Sequence, residues 1–261
     1  METTKILWSG LTGRTGREAM IQQKLVDGVE IVAGMKRIVS GADDLHLHGE
    51  TFEHIEWLGY DNGMCGLYGL VQRLRRAKVD VIVDFSHPDV LEKVLELAIL
   101  TRTPLIVGTS GLSGRQVASL YDATDCIPIF NGGNFRFKVK KFIDEAVRAA
   151  MLTIGPFALY ENLYEGKKLP SETSKVVQKR IFEATGKTVE VYSKADLPKE
   201  HLPCRWRFDL GTELRNGVEC RTTGFDELAH DVLEIAKVMA KKPIQKGKFY
   251  DLDQIWDDIA K

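Results

Sequence analysis

Cysteine is scarce in this sequence: Cys65, Cys126, Cys204 and Cys220 are the four in 261 residues, with no C-x-x-C pair and no two closer than sixteen positions. Such spacing argues against metal ligation or a catalytic thiol and for reduced, mostly packing residues. An excess of either charge is also missing. With 36 basic and 37 acidic side chains and a net charge of -1, there is no global field to hold a phosphodiester backbone by counterion release, so nucleic-acid binding is disfavoured. No apolar run approaches the roughly 18 residues a membrane span requires. The opening Met1-Glu-Thr-Thr-Lys-Ile-Leu-Trp8 enters a short apolar run too soon for a signal segment, and a cytoplasmic protein is expected. Internal repeats and low-complexity linkers are absent as well. What remains, 44% hydrophobic and 28% charged residues, is a globular composition. Its length suits one large domain or two small ones, since domains run to about 100–200 residues.

The apolar pattern divides the chain in two. Strand-like runs at Lys5 to Ser9, Glu30 to Ala33, Val79 to Asp84, Pro104 to Val107 and Cys126 to Phe130 alternate with helical periodicity at Gly16 to about Val26, Gly66 to Ala77, Asp89 to Thr101 and Gly114 to Ala123. Strands and helices alternating at this spacing imply βαβ crossovers and a parallel sheet buried on both faces: a Rossmann-like doubly wound α/β domain over residues 1–130. Residues 131–234 read differently. Helices at Phe137 to Leu152 and Ser171 to Thr185, with strands at Phe157 to Leu163, Thr188 to Ser193, Cys204 to Leu210 and Val218 to Thr223, suggest a second α+β domain with a mixed or antiparallel sheet. A last helix, Phe225 to Lys241, leads to a tail, and residues 235–261 are expected to pack back on the first domain.

The strongest local signal is Gly10-Leu-Thr12-Gly13-Arg14-Thr15-Gly16, a G-x-x-G-x-x-G turn between a strand and a helix. Glycines there permit positive φ, close approach of a pyrophosphate and tight helix–sheet contact, while free N–H groups and the helix dipole supply an anion site. Arg14 adds a cation within the turn. Where dinucleotide folds usually place an acid for the ribose hydroxyls, this sequence has Gly34-Met-Lys36-Arg37. Two cations favour a 2′-phosphate, so NADPH is preferred, with NADH possible. Phe85 and Ser86 in Asp84-Phe-Ser-His-Pro88, and Gly108, Thr109 and Ser110 in Gly108-Thr-Ser-Gly111, end two further strands on the same sheet edge and are expected to face the nicotinamide and its ribose. His87 is a tempting acid or base, but a histidine before proline in a turn is more often a loop residue. His46, His48 and His54 lack the spacing of a zinc site, and no metal is expected.

Taken together, these motifs resemble the 4-hydroxy-tetrahydrodipicolinate (dihydrodipicolinate) reductase family. The likeness runs through G-x-x-G-R-x-G (Gly10 to Gly16), V-D-F-S-x-P (Val83 to Pro88), V-G-T-S-G (Val107 to Gly111), Asn134-Phe135, the segment Lys167 to Thr173 and the tail Phe249-Tyr-Asp-Leu-Asp-Gln-Ile255. It implies a cofactor domain, a second domain that binds substrate and builds a tetramer, and hydride transfer to an unsaturated cyclic dicarboxylate. Asn134 and Phe135 join the cofactor residues on this ground.

The second domain diverges from the family pattern. In place of H-H-x-x-K-x-D-A-P-S-G-T-A stands Tyr164-Glu-Gly-Lys167-Lys168-Leu-Pro-Ser171-Glu172-Thr173, so Tyr164 and Glu165 replace two histidines and Glu172 replaces a glycine. Phe225 falls near an expected arginine. A glutamate in a carboxylate-binding loop repels an anion by roughly 1 kcal/mol when solvated, and Arg136 and Lys138 are expected to return positive charge. Lys168 is the candidate to hold developing negative charge and Tyr164 the candidate proton donor, if a neighbouring lysine lowers its pKa. Lys167, Ser171, Thr173 and Arg136 are the candidate substrate ligands. The expected activity is NADPH-dependent reduction of a cyclic imine or enamine dicarboxylate. The alternatives are an amino-acid or diamino-acid dehydrogenase, or a catalytically silent NADP-binding relative.

Overall fold

The computed structural model describes residues 2–37, 46–47, 50–51, 56–60, 67–132, 135–198, 204–210, 217–222 and 224–259. The chain forms two compact units: Met1–Gly132 with Leu228–Lys261, and Gly133–Glu227.

In the first unit, β1 (Thr4–Ser9), β2 (Val29–Arg37), β5 (Glu56–Tyr60), β6 (Val81–Asp84), β7 (Leu105–Val107) and β8 (Ile129–Phe130) form one sheet in the order β5-β2-β1-β6-β7-β8. Every pairing in it is parallel. Parallel neighbours need crossovers, and α1 (Arg14–Gln22), α2 (Leu67–Ala77), α3 (Pro88–Thr101) and α4 (Gly114–Ala123) supply them. One sheet face carries Leu7, Ile82, Leu105, Val107 and Ile129, packed with buried side chains of α2, α3 and α4. Register places Ile6, Trp8, Val81, Val83, Ile106 and Phe130 on the opposite face, all fully buried. Burial of both faces explains why β1, β6 and β7 read as continuous apolar runs instead of alternating ones. The same unit includes nearly all of α7 (Asp226–Met239), with its enclosed Ala229, Val232, Leu233, Ile235, Ala236 and Met239, and α8 (Leu252–Ile259). The tail joins the sheet edge, where Tyr250 N–H donates to the Ile129 carbonyl (2.7 Å) and Asn131 N–H to the Tyr250 carbonyl (3.1 Å).

Several expected boundaries shift for local reasons. α1 begins at Arg14, two residues early, because Gly13 acts as its N-cap. β2 runs on to Arg37 because β5, a short strand not expected from the pattern, pairs with Ala33 to Arg37. The strand expected from Cys126 shortens to Ile129–Phe130, since the Cys126 N–H closes the end of α4 on the Ala123 carbonyl at 2.9 Å. A two-stranded ladder, β3 (His46–Leu47) with β4 (Glu50–Thr51), was not legible in the pattern.

The second unit is a four-stranded mixed sheet, β10 (Val189–Leu197), β9 (Phe157–Tyr164), β11 (Cys204–Leu210) and β12 (Gly217–Thr222) in that order. β9 and β10 are parallel, joined by α6 (Glu172–Thr185) as a crossover, and the other two pairings are antiparallel. With α5 (Phe137–Leu152), α6 covers one face around Phe142, Ile143, Phe157, Leu159, Leu163, Val177, Ile181 and Phe208. Cys204 and Cys220 pack with this core and Cys126 is exposed, whereas Cys65 lies outside the described residues. No helix of the described residues is long and apolar enough to cross a membrane. No cluster of three or more potential metal ligands occurs among them; His48, His54 and the side chain of His46 lie outside.

Candidate functional site

Strand order reverses between β1 and β6, and ligands of open parallel sheets lie beyond the carboxyl ends of the strands at such a point. The loop after β1 enters this crevice through Gly10, whose φ is +81°; an added Cβ would lie 2.3 Å from the Phe85 carbonyl oxygen. At Gly16 a Cβ would meet the Leu11 carbonyl oxygen at 2.4 Å, so the start of α1 sits flush against the turn. Gly13, exposed at the N-cap, offers no side chain to the first N–H groups of α1, and no acidic residue stands in its first turn. By contrast, His87 caps α3 and Ser113 caps α4 with their own side chains. An uncapped, glycine-fronted helix start is an anion cradle. Arg14 is exposed at its first position, Thr12 and Thr15 lie in the turn, and the Thr12 carbonyl accepts from Arg17 Nε at 3.0 Å.

The loops after β6 and β7 are bound into one piece. Phe85 N–H donates to the Ser9 carbonyl (3.0 Å) and Gly108 N–H to the Asp84 carbonyl (2.8 Å). The Phe85 ring stacks on Trp8 with centroids 5.7 Å apart and fills the place of a Gly108 side chain, whose Cβ would come within 2.2 Å of it. Behind them is a residue that motif reading passed over. Asp84, with no exposure at all, accepts from Ser86 Oγ at 2.5 Å and from Thr109 Oγ1 at 2.7 Å. Burial raises its carboxyl above the ordinary aspartate value, with the Ser86 and Thr109 donors opposing. Thr109 Oγ1 also accepts the Ser86 N–H at 3.0 Å. Ser110 is exposed. His87 accepts the Asp89 N–H at 3.3 Å, which makes it a helix cap. Lys36 and Arg37 end β2, paired with Gly59 and Tyr60; their side chains, like all of Asn134, lie outside the described residues. Phe135 is buried in the second unit.

Also in the second unit, Tyr164 ends β9 half-buried, and a turn closed by Lys167 N–H on the Tyr164 carbonyl (3.2 Å) presents Lys167 and Lys168 to solvent. Lys167 Nζ lies over the Tyr164 ring, 5.5 Å from its centroid. The following loop enters α6 through Ser171, the N-cap. Expected as a substrate ligand, Ser171 is instead buried, with its N–H (3.0 Å) and Oγ (2.6 Å) both donating to Glu161. Glu161 also accepts from Ser174 Oγ (2.5 Å) and Ser193 Oγ (2.6 Å), and Trp206 Nε1 donates to Ser171 Oγ (3.3 Å). Burial alone would raise the Glu161 carboxyl, but these donors outweigh it and hold the pKa below the usual glutamate value. Glu172 pairs with Lys175 at 2.6 Å, which holds its carboxyl low and answers its charge on the helix surface. Arg136 also departs from expectation: Nη2 donates to the Gly224 carbonyl at 2.7 Å, and Glu227 takes up both Arg136 and Lys138. That guanidinium ties the start of α5 to the segment before α7, and the cationic pair already has a counter-charge. Thr173 is half-buried. Glu161 shows in sequence only as a charge at an inward position of an alternating strand.

A Rossmann-like doubly wound domain with a three-glycine turn between its first strand and first helix, joined to a second domain of mixed sheet, defines the class. The family model described as "Dihydrodipicolinate reductase, N-terminus" matches residues 4–135, and the chain belongs to the dihydrodipicolinate reductase family. A 4-hydroxy-tetrahydrodipicolinate reductase of Alkalilimnicola ehrlichii is 29% identical over 195 residues, 72% of this chain and 68% of that protein. One of Exiguobacterium sibiricum is 39% identical over 72 residues, 28% of this chain and 29% of that protein. Across such relatives the chain spans from 24% to 68% of their own length. Among solved structures, a dipicolinate-bound dihydrodipicolinate reductase from Paenisporosarcina sp. TG-14 superposes with a TM-score of 0.67 at 15% identity, covering 97% of this chain and 99% of that one. The WlbA (WbpB) dehydrogenase from Thermus thermophilus, in complex with NAD and UDP-GlcNAcA, gives 0.55 at 12% identity over 94% and 97%. At these identities the likeness is one of fold.

Proposed function

We propose that the protein is an NADPH-dependent reductase of a cyclic imine or enamine dicarboxylate, of the 4-hydroxy-tetrahydrodipicolinate kind, working as a cytoplasmic homotetramer. The observation that carries this reading is the uncapped start of α1 behind the Gly10–Gly16 turn, at the point where strand order reverses. The cradle suits a diphosphate held by Gly10, Thr12, Gly13, Arg14, Thr15 and Gly16. Lys36 and Arg37 are the candidates for the 2′-phosphate and Phe85, Ser86, Gly108, Thr109 and Ser110 those for the nicotinamide side, with Asn134 and Phe135 assigned to the cofactor by the family resemblance. The bound cofactor supplies a hydride. The chain's own part is to orient the acid and to deliver a proton: Lys167, Lys168 and Thr173 hold negative charge, and the Tyr164 hydroxyl gives up the proton. Ser171 serves that corner by anchoring its loop to Glu161.

Titration calorimetry with NADPH and NADH, followed by turnover of 4-hydroxy-tetrahydrodipicolinate, tests the assignment; no affinity for either nucleotide overturns it. The inward commitment of Ser171 and Arg136 favours one second reading, an oxidoreductase of the same cofactor acting on another carbon–nitrogen bond. NADPH binding without turnover of that acid, but with oxidation of an amino or diamino acid by NADP, selects it.

A further inference from the structure

The buried Asp84 has a consequence for how the crevice reads a ligand. A hydroxyl has a single proton to donate, and among the described residues the carboxylate that takes it from Thr109 Oγ1 is that of Asp84, at 2.7 Å. The Asp84 carbonyl, 3.4 Å away, is a weaker acceptor on the same inward side. One lone pair of Thr109 Oγ1 is already taken by the Ser86 N–H, so all that this largely buried hydroxyl has left to offer a ligand is acceptor character. Ser86 Oγ is drawn inward in the same way by Oδ1. Across the reversal point the start of α1 offers the opposite, N–H donors without an acceptor side chain.

The two sides of the crevice thus have opposite hydrogen-bonding polarity. A phosphate carries only acceptors at neutral pH and suits the α1 side. A ribose hydroxyl or a carboxamide NH2 carries donors and suits the β6–β7 side. Because the adenosine ribose of a dinucleotide lies at the end of β2, the half that reaches Ser86 and Thr109 is the nicotinamide riboside. We propose that Asp84 is a positioning residue: it fixes the hydroxyls of Ser86 and Thr109 as acceptors and so selects the nicotinamide half of the cofactor, without touching the cofactor itself. This rests on the cofactor reading given above.

Calorimetric titration of the full chain at pH 8 with NADPH and with adenosine 2′,5′-bisphosphate, which lacks the nicotinamide half, separates the two ideas. Asp84→Asn turns an N–H2 toward one of the hydroxyls, which then releases its proton into the crevice. Thr109→Val removes the acceptor at constant shape, and Thr109→Ser keeps it. We expect Asp84→Asn and Thr109→Val to weaken NADPH about tenfold or more, the loss of roughly one hydrogen bond. Adenosine 2′,5′-bisphosphate should change less than twofold in both, and Thr109→Ser should bind NADPH within twofold of the wild type. Unchanged NADPH affinity in both variants, or a parallel loss of both ligands, overturns the proposal. If Asp84→Asn does not fold, the Thr109 pair decides it alone. Wild-type protein that binds neither ligand refutes the cofactor reading itself.

Discussion

Replacing Glu161 by leucine fills the site with an apolar side chain and removes the acceptor on which the α6 end of the second unit is built. Four donors lose it: the Ser171 N–H and the hydroxyls of Ser171, Ser174 and Ser193. A buried donor left without a partner costs about 1–3 kcal/mol. The hydroxyls recover part of that by turning to one another, since Ser171 Oγ and Ser174 Oγ lie 3.3 Å apart, so a net loss of about 4 kcal/mol is expected. That is a large fraction of the roughly 5–15 kcal/mol by which a folded chain exceeds its unfolded state. Glu161→Gln keeps one oxygen and should lose about 2 kcal/mol. The pH dependence follows from the lowered carboxyl. A group whose folded pKa is depressed contributes stability that is complete above its unfolded value, about 4.3, and is lost as pH falls through the folded value. The gap between wild type and Glu161→Gln should therefore be constant from about pH 6 to 8 and narrow on acidification below about pH 4. Urea unfolding at a series of pH values reads both quantities. A leucine variant within about 1 kcal/mol of wild type, or a gap that widens in acid, would refute the reasoning.

Three further outcomes are expected. Gly10→Ala and Gly16→Ala push a Cβ to within 2.3 Å and 2.4 Å of backbone oxygens and should each cost about 1–3 kcal/mol or more along with nucleotide affinity. Gly114→Ala, which meets nothing within 4 Å at the start of α4, should be neutral or slightly stabilising; thermal unfolding compares them. Lys36→Ala with Arg37→Ala should weaken NADPH about 10- to 100-fold, the loss of one or two charged hydrogen bonds, while NADH titrated in parallel stays nearly unchanged. Under the reductase reading, Tyr164→Phe and Lys168→Ala should each lower kcat by about a hundredfold or more with NADPH affinity intact, and stopped-flow oxidation of NADPH would show it.

What the sequence determined by itself is the part of the protein in which chemistry and local geometry coincide. A parallel sheet buried on both faces demands unbroken apolar strands, and Lys5 to Ser9, Val79 to Asp84 and Pro104 to Val107 declare themselves that way. The glycine turn is equally local, because Gly10 and Gly16 stand where the backbone leaves no room for a Cβ. β5 was hidden, since a five-residue edge strand interrupted by Gly59 is defined by its partner, β2, and not by its own pattern.

Only the tertiary structure decided how the charged and hydroxyl groups are committed. Ser171 and Arg136 look in sequence like ligands for an anion; folding gives the first to Glu161, across ten residues, and the second to the Gly224 carbonyl, across 88. Asp84 and Thr109 are 25 positions apart and meet because β6 and β7 are neighbours in the sheet. A hydrogen bond acts over about 3 Å, and which donors and acceptors come that close is a property of strand order and helix docking, on which linear spacing is silent.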